Sequence, residues 1–260
     1  MEELIVERCG QVLTMRVNRP EKRNAFTPEL FVKLALAYGE LDRDPELRVG
    51  VVHGAGDHFT AGLDLPTWVP AFSAGKFPDI PDGGIDPFGF ADGKRVRKPV
   101  IFAVQGICYT IGIELMLAAD IRIAASDTRF AQLEVRRGIY PCGGATIRMA
   151  REIGWGNAMR YLLTGDEMIA EDAWRMGMVQ EVVEPGEQLP RAMALAQTIA
   201  AQAPLGVQAT LASARIARYQ GDKVAIARLF PDLVPLMGSA DVREGIAAFR
   251  ERRPAKFEGR

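Results

Sequence analysis

Two glutamates stand where aliphatic residues would be expected. Glu114 interrupts the apolar run Ile111–Ala119, and Glu134 follows Phe130-Ala-Gln-Leu. Carboxylates are seldom buried without a partner or a chemical role. Two carboxyl groups whose pKa values are separated by their surroundings can form a general acid/base pair. The apolar surroundings of the two glutamates therefore favour proton-transfer chemistry at these positions.

A structural explanation of the two glutamates is also open at this point. Each could be the acidic half of a buried ion pair, because removal of either partner of such a pair leaves a costly uncompensated charge. The basic residues nearest in sequence that could serve as partners are Arg136, Arg137 and Arg148.

Metal chemistry is not favoured by the remaining candidate ligands. A structural zinc site needs four nitrogen or sulfur ligands, normally in close pairs. The chain has three widely spaced cysteines and two histidines, and we expect neither a metal site nor a disulfide framework. These residues are Cys9, Cys108, Cys142, His53 and His58.

The charge balance and the length of the apolar runs argue against two classes of protein, those that coat nucleic acid and those that span a membrane. The 260 residues include 32 Lys and Arg and 33 Asp and Glu, for a net charge of −1. Coating nucleic acid requires a clustered basic excess, so we expect no nucleic-acid partner. No apolar run reaches the roughly 18 residues that span a bilayer, and the N-terminal MEELIVERCG does not resemble a secretory signal. A cytoplasmic protein without membrane contact is expected.

The secondary structure that must position the glutamates is predicted to be that of an α/β fold. Short apolar runs typical of buried strands alternate with segments of helical spacing, which indicates a largely parallel sheet. Thr27-Pro28 is typical of a helix start, with a capping hydroxyl and a proline at the first turn. The predicted strands include Val49–His53, Val100–Val104 and Ile121–Ala124, and the predicted helices include Glu29–Leu41 and Ile111–Ala119.

The chain after Pro141 is predicted to be almost entirely helical. Only Val179–Val183 is predicted there as a strand. The last helices contain more apolar residues than a small helical region can bury by itself, which indicates packing against a neighbouring subunit. The predicted helices cover Gln188–Ala201, Pro204–Tyr219, Asp222–Leu236 and Ala240–Glu251.

The segment from Trp68 to Val96 is rich in proline, glycine and aromatic residues and has no long helical or alternating pattern. Loops longer than about 15 residues are usually functional lids or mobile segments. Its aromatic residues favour a lid over something apolar, and a surface insertion is the alternative. Phe77, Phe88 and Phe90 are the residues expected to make that contact.

Four motifs in register resemble the crotonase (enoyl-CoA hydratase/isomerase) superfamily. They extend along essentially the whole chain and are joined by the C-terminal Gly245-Ile-Ala-Ala-Phe249-x-Glu-Arg-Arg253. The motifs are Asn18-Arg-Pro-Glu-Lys-Arg-Asn-Ala-Phe26, Phe59-Thr-Ala-Gly-Leu-Asp-Leu65, Val104-Gln-Gly106 with Glu114, and Glu134-Val-x-x-Gly138-x-x-Pro141-x-Gly143-Gly144.

The resemblance implies a crotonase-like spiral of ββα units over residues 1–200. A C-terminal helical trimerisation region is implied over residues 201–260. Homotrimers, or homohexamers built as dimers of trimers, are the assemblies that the resemblance implies. The chain is accordingly expected to act as an oligomer.

The resemblance also assigns the site. It implies an oxyanion hole formed by the backbone N–H groups of Leu63 and Ile111, and catalysis by Glu114 and Glu134. Together these imply an enoyl-CoA hydratase, a hydro-lyase that adds water across the 2,3-double bond of a trans-2-enoyl-CoA thioester. No cofactor is implied, since coenzyme A is part of the substrate. Coenzyme A contacts are implied for Lys22, Arg23, Ala25, Ala61, Asp64, Leu65, Phe249 and Arg252, the last two reaching the coenzyme A of a neighbouring subunit.

Other functions stay open at this stage. Ile111, Cys142 and the segment from Trp68 to Val96 could suit another acyl-CoA reaction on the same scaffold, such as double-bond isomerisation or carbon–carbon cleavage. A non-catalytic acyl-CoA-binding or RNA-binding protein is the remaining alternative. Retention of both glutamates favours hydration.

Overall fold

The computed structural model describes residues 2–90 and 95–260. Its main sheet has six strands, of which β1 and β2 are antiparallel and the remaining neighbours are parallel. The predicted parallel α/β architecture is therefore confirmed. The strands, in their order across the sheet, are β1 (Leu4–Cys9), β2 (Val12–Val17), β3 (Val49–Gly54), β4 (Val100–Val104), β6 (Ile121–Ala125) and β9 (Glu181–Val183).

A second sheet of three very short strands was not predicted. It contains β5 (Ile107–Tyr109), β7 (Arg129–Ala131) and β8 (Met168–Ile169). Strands of two or three residues carry too little alternation to be recognised in a sequence. β8 also corrects the expectation that Val179–Val183 is the one strand after Pro141, and the strand predicted there begins two residues later, at Glu181.

Ten α-helices surround the sheets in the described part of the chain. The first begins as predicted, because the Thr27 hydroxyl accepts a hydrogen bond from the Leu30 N–H at 3.0 Å. Two short 3-10 helices cover Pro20–Lys22 and Glu134–Arg137. The α-helices are α1 (Pro28–Arg43), α2 (Leu65–Ser73), α3 (Ile111–Ala118), α4 (Ala145–Ile153), α5 (Trp155–Thr164), α6 (Ala170–Arg175), α7 (Gln188–Ala200), α8 (Pro204–Gln220), α9 (Asp222–Met237) and α10 (Ala240–Glu251).

The main sheet is covered on both faces. A large core that includes α1, α3 and the side chains of α2 packs on one face. On the other face, α7 presents Ala192, Ala196 and Ala200 to strands β2, β3, β4 and β6. Small side chains let this helix approach the strands closely, and burial on both faces explains the continuous apolar runs of the parallel strands.

The segment from Trp68 to Val96 differs from the prediction. It begins inside helix α2, and Trp68 is fully buried, with its indole N–H donating to the Phe26 carbonyl at 2.7 Å. Phe88 is also buried and lies 5.2 Å, between ring centroids, from both Phe31 and Phe77. Much of the predicted lid is therefore part of the core, and residues 91–94 of that prediction lie outside the described residues.

The C-terminal helices carry an exposed apolar stripe. On α9, Ile226, Phe230 and Val234 recur at every fourth position and are 65%, 76% and 67% exposed. Spacing of four residues places side chains on one helix face. The predicted boundary at residue 200 stays a prediction. Among the helices of residues 2–90 and 95–260, none combines the length and hydropathy needed to cross a bilayer.

Candidate active site

Glu114 lies on α3, a helix whose eight residues are all buried. Its side chain is only 5% exposed. The carboxylate accepts a hydrogen bond from the Ala145 N–H at 3.3 Å, and the Gly143 N–H also donates to it. Because Ala145 is the first residue of α4, the positive end of that helix dipole faces the carboxylate and stabilises a negative charge on it.

Gly143 leaves the space that the Glu114 carboxyl group occupies. A Cβ atom on Gly143 would overlap Glu114 Oε2 and would come within 2.8 Å of the Phe88 ring. Any other residue would have to displace the carboxylate or the ring. The glycine of this motif is therefore explained by close packing over the acid.

Glu134 begins the 3-10 helix after β7 and is 7% exposed. The side-chain amide of Gln132 lies 2.9 Å from both carboxyl oxygens of Glu134. With its nitrogen turned toward Glu134, this amide donates to a carboxylate, and with its oxygen turned that way it accepts from a protonated carboxyl group. Gln132 is itself 1% exposed and holds the Glu134 side chain in place.

Both carboxyl groups bind protons more tightly than an exposed glutamate. Burial raises the pKa of Glu114 to about 7, although the N–H groups of Ala145 and Gly143 oppose the shift. Burial and then the charge of Glu114 raise the pKa of Glu134 to about 8. Near pH 7.5 the pair can hold one proton, which is the arrangement that acid/base catalysis needs.

The ion-pair interpretation of the glutamates is not supported within residues 2–90 and 95–260. Neither Glu114 nor Glu134 forms a salt bridge there, and Arg136 pairs instead with Asp166 at 2.8 Å. Arg148 donates to the backbone oxygens of Gly143 and Phe88. Two buried carboxyl groups that form no salt bridge within the described residues favour a chemical role over a structural one.

Two loops bring the predicted oxyanion-hole residues together. Thr60 and Cys108 form a parallel bridge, with the Thr60 N–H donating to Ile107 at 3.0 Å. Leu63 follows Thr60 by three residues and Ile111 follows Cys108 by three residues, so both lie just beyond this bridge. Within the described part of the chain, neither the Leu63 nor the Ile111 N–H donates a hydrogen bond. Ile111 is also the first residue of α3, where the helix dipole favours a negative charge.

Backbone strain marks the same place. Thr110, immediately before Ile111, has φ of +48° and ψ of −112°, a conformation that is a clear outlier for a β-branched residue. Gly62, immediately before Leu63, has φ of +109°, and a Cβ atom there would overlap Thr110 Oγ1. The residues that precede the two proposed donors therefore pack against each other in a contact that only glycine permits at position 62.

The predicted coenzyme A contacts near the N-terminus form one continuous surface with these loops. The Ala61 N–H donates to the Arg23 carbonyl at 2.8 Å, and the Ala25 carbonyl accepts from Arg19. Asp64 is bound to Arg19 at 3.3 Å, so part of its role is to fix this loop. The surface brings together Lys22, Arg23, Ala25, Ala61, Asp64 and Leu65.

The two C-terminal predictions lie elsewhere. Phe249 is 86% exposed near the end of α10, and Arg252 follows the helix in a left-handed conformation. No hydrogen bond or ion pair in the described residues joins Phe249 or Arg252 to the N-terminal surface. This separation is compatible with the predicted contact across a subunit boundary.

Some features of the site were missed in the sequence. Gln132 is a polar residue in the apolar run before Glu134, and that position could have identified it. The strain at Thr110 leaves no sequence signal, because threonine is common beside helices. Among the described residues, no group of three or more His, Cys, Asp or Glu side chains is placed to hold a metal ion.

Known proteins share both the sequence and the fold. The family model for enoyl-CoA hydratase/isomerase matches residues 7–260. Enoyl-CoA hydratase EchA19 of Mycobacterium tuberculosis is 34% identical over 99% of this chain and 97% of that protein. Crotonyl-CoA hydratase of Syntrophomonas wolfei is 33% identical over 98% of each chain.

Solved structures agree. A probable enoyl-CoA hydratase/isomerase from Mycobacterium abscessus superposes with a TM-score of 0.96 at 51% identity, covering 100% of this chain and 99% of the other. An enoyl-CoA hydratase from Mycobacterium tuberculosis gives a TM-score of 0.89 at 36% identity over 99% of each chain. The resemblance found in the motifs is confirmed, and with it the crotonase-like fold. The chain belongs to the enoyl-CoA hydratase/isomerase family.

Proposed function

We propose that this protein is an enoyl-CoA hydratase that adds water across the 2,3-double bond of a trans-2-enoyl-CoA thioester. The observation that carries the proposal is the pair of buried carboxyl groups, Glu114 and Glu134, which have raised pKa values and no cationic partner in the described chain. Relatives named as hydratases, at 33–34% identity over nearly the whole chain, support the same reaction.

The two carboxyl groups take different roles. Glu114 accepts hydrogen bonds from the Ala145 and Gly143 N–H groups, which stabilise its carboxylate form, so it is the proposed ionised partner. As general base it takes a proton from water while the water oxygen bonds to Cβ of the substrate. Burial and the charge of Glu114 raise the pKa of Glu134, so Glu134 is the proposed protonated partner. As general acid it delivers a proton to Cα, and the net change is addition of one water molecule.

The thioester oxygen carries the charge that develops between these steps. The Leu63 and Ile111 N–H groups are the proposed donors to it, aided by the dipole of α3. Removal of one such donor in other enzymes costs about 3 kcal/mol of transition-state stabilisation. The carboxyl and N–H groups supply every proton transfer and charge contact that hydration needs, so the proposal includes no cofactor beyond the coenzyme A of the substrate.

Substrate binding and assembly complete the proposal. The surface around Lys22, Arg23 and Ala61 is proposed to hold the coenzyme A group, with Phe249 and Arg252 contacting that of a neighbouring subunit. The exposed stripe on α9 supports a homotrimer or homohexamer, because contiguous exposed apolar surface commonly marks an interface. The cytoplasmic location stays a prediction, as does the absence of a nucleic-acid partner.

A product analysis tests the reaction. Purified protein is incubated with crotonyl-CoA in H₂¹⁸O, and the thioester products are identified by mass spectrometry. Hydration gives 3-hydroxybutyryl-CoA with one ¹⁸O atom and loss of the conjugated absorbance. An unchanged mass with a shifted double bond would establish an isomerase, and a shortened acyl group would establish carbon–carbon cleavage. Either result would overturn the proposal.

A further inference from the structure

An arginine-rich cavity lies between helix α4, helix α8 and the chain at Gly89, Phe90 and Arg95. Its volume is about 440 Å³. No Asp or Glu among the described residues lines it. The side chains that matter here are Arg95, Arg148, Arg151, Arg215 and Tyr219.

The nearby carboxylates are already paired outside the cavity. Asp120 binds Arg215 at 2.9 Å. Glu152 binds Arg122 at 2.9 Å and Arg218 at 2.5 Å. Within residues 2–90 and 95–260, three arginines of the cavity form no salt bridge, namely Arg95, Arg148 and Arg151, although the charge of Arg148 acts on Glu114 and opposes the rise of its pKa.

Arg148 is the most unusual of the three. It is 4% exposed, and its Nε atom has no hydrogen-bond partner in the described part of the protein. Its guanidinium lies 5.0 Å from the ring centre of Phe90 and otherwise donates to backbone oxygens of Gly143 and Phe88. A buried guanidinium is costly without an anion, so this site is built to receive one.

The surroundings of the Tyr219 hydroxyl also carry an excess of positive charge. Its hydroxyl accepts a hydrogen bond from Arg95 at 2.7 Å. Burial alone would raise the pKa of Tyr219, but the charges of Arg95 and Arg148 outweigh burial and lower it. An anion entering the cavity would therefore meet an attractive field from several sides.

The cavity adjoins the reaction site. Arg148 donates to the carbonyl of Gly143, the residue that packs directly over the Glu114 carboxyl group. Phe88 contacts the same glycine and stacks on Phe90, which lines the cavity. Gly143 and Phe88 are therefore the residues that lie between the Glu114 carboxyl group and the cavity.

We propose that the cavity binds a carboxylate at the distal end of the acyl group, so that the substrates are enoyl-CoA thioesters with a second acid group. This inference rests on the proposed function of the site. The guanidinium of Arg148, with Arg95 and Arg151 beside it, pairs with the carboxylate, and the aromatic residues Phe88 and Phe90 contact the methylene groups. The coenzyme A end of the ligand binds at the N-terminal surface, on Lys22, Arg23 and Ala61.

Binding of saturated thioesters tests the inference without catalysis. Calorimetric titration compares adipyl-CoA with hexanoyl-CoA, which have acyl chains of equal length, and suberyl-CoA with octanoyl-CoA. At least one dicarboxylic thioester should bind about 10-fold or more tightly than its neutral counterpart, the range expected for a hydrogen-bonded charge pair. Equal affinities for both pairs would overturn the proposal.

Matched variants locate the effect. Arg148→Met and the exposed Arg151→Gln should each reduce the preference for the dicarboxylic ligand while leaving hexanoyl-CoA and free coenzyme A binding unchanged. Arg160→Gln, another exposed arginine outside the cavity, is the control and should keep the preference. Because Arg151 is exposed, its variant is expected to fold even if Arg148→Met does not. A preference that survives the Arg151 change undiminished would contradict the proposal.

One further outcome would also overturn it. If the arginine variants weaken free coenzyme A as much as adipyl-CoA, the cavity binds a phosphate of coenzyme A rather than the acyl group. Failure to hydrate both crotonyl-CoA and a trans-2-enoyl-CoA with a terminal carboxylate would refute the proposed reaction and leave the binding comparison intact, so the two failures are distinguishable.

Discussion

Replacement of Glu134 by glutamine should make the folded protein more stable at neutral pH. Burial and the charge of Glu114 raise the pKa of Glu134 from 4.5 to about 8. A group whose pKa is raised on folding contributes stability below its unfolded pKa and loses that contribution as pH rises toward its folded pKa. The wild type therefore loses stability between about pH 4.5 and pH 8. The Glu134→Gln variant does not titrate and escapes this loss.

The size of the effect follows from the same two pKa values. At pH 7 the unfolded glutamate is ionised and the folded one is still largely protonated. The difference corresponds to a stabilisation of the variant on the order of 3 kcal/mol, at about 1.4 kcal/mol per pKa unit. At pH 4 both states are protonated and the difference should nearly vanish.

Urea unfolding at a series of pH values and one fixed protomer concentration measures this difference. Glu152→Gln is the control, because its pKa is shifted in the opposite direction. Burial alone would raise the pKa of Glu152, but Arg122 and Arg218 together outweigh burial and lower it. Loss of a group with a lowered pKa should destabilise the protein at pH 7, and the effect should shrink on acidification. A Glu134→Gln variant whose stability runs parallel to the wild type from pH 4 to pH 8 would refute the buried, proton-binding glutamate.

Three other predictions follow from the same geometry. Gly143→Ala should lower kcat by about 10-fold or more in a crotonyl-CoA assay, because its Cβ atom would overlap the Glu114 carboxyl group, whereas Gly156→Ala, which meets only open space, should not. The rate of hydration should rise as pH passes about 7 and fall above about 8, as the pair requires one ionised and one protonated group, and a flat profile would contradict that. Phe230→Asp on the α9 stripe should give smaller or aggregated species in light scattering, and an unchanged oligomer would exclude that face as the interface.

The parts of the fold that the sequence predicts are those with strong local patterns. The apolar runs of β3, β4 and β6 and the Thr27-Pro28 start of α1 were found because each depends on residues close in sequence. The short strands β5, β7 and β8 were missed, because their pairing depends on distant partners. Trp68 and Phe88 were placed in a lid, since composition alone cannot tell an aromatic residue that covers a ligand from one that enters the core.

The candidate site divides in the same way. Glu114 and Glu134 were predicted because a charge within an apolar run is visible in the sequence. Their pKa values, the contact of Gln132 and the strain at Thr110 depend on how separate loops meet. Arg148 forms no salt bridge with either glutamate among the described residues, because its side chain donates to the Phe88 carbonyl and lies against the Phe90 ring.

The central claim is that Glu114 and Glu134 each transfer a proton during hydration. The most direct test measures kcat for crotonyl-CoA hydration by Glu114→Gln and Glu134→Gln, with the Kd of butyryl-CoA as a separate measure of binding. Each variant should lose at least about 100-fold in kcat, with little change in Kd, because general acid/base groups act in the transition state rather than in binding. Turnover close to wild type in either variant would contradict the claim and make that glutamate a structural residue.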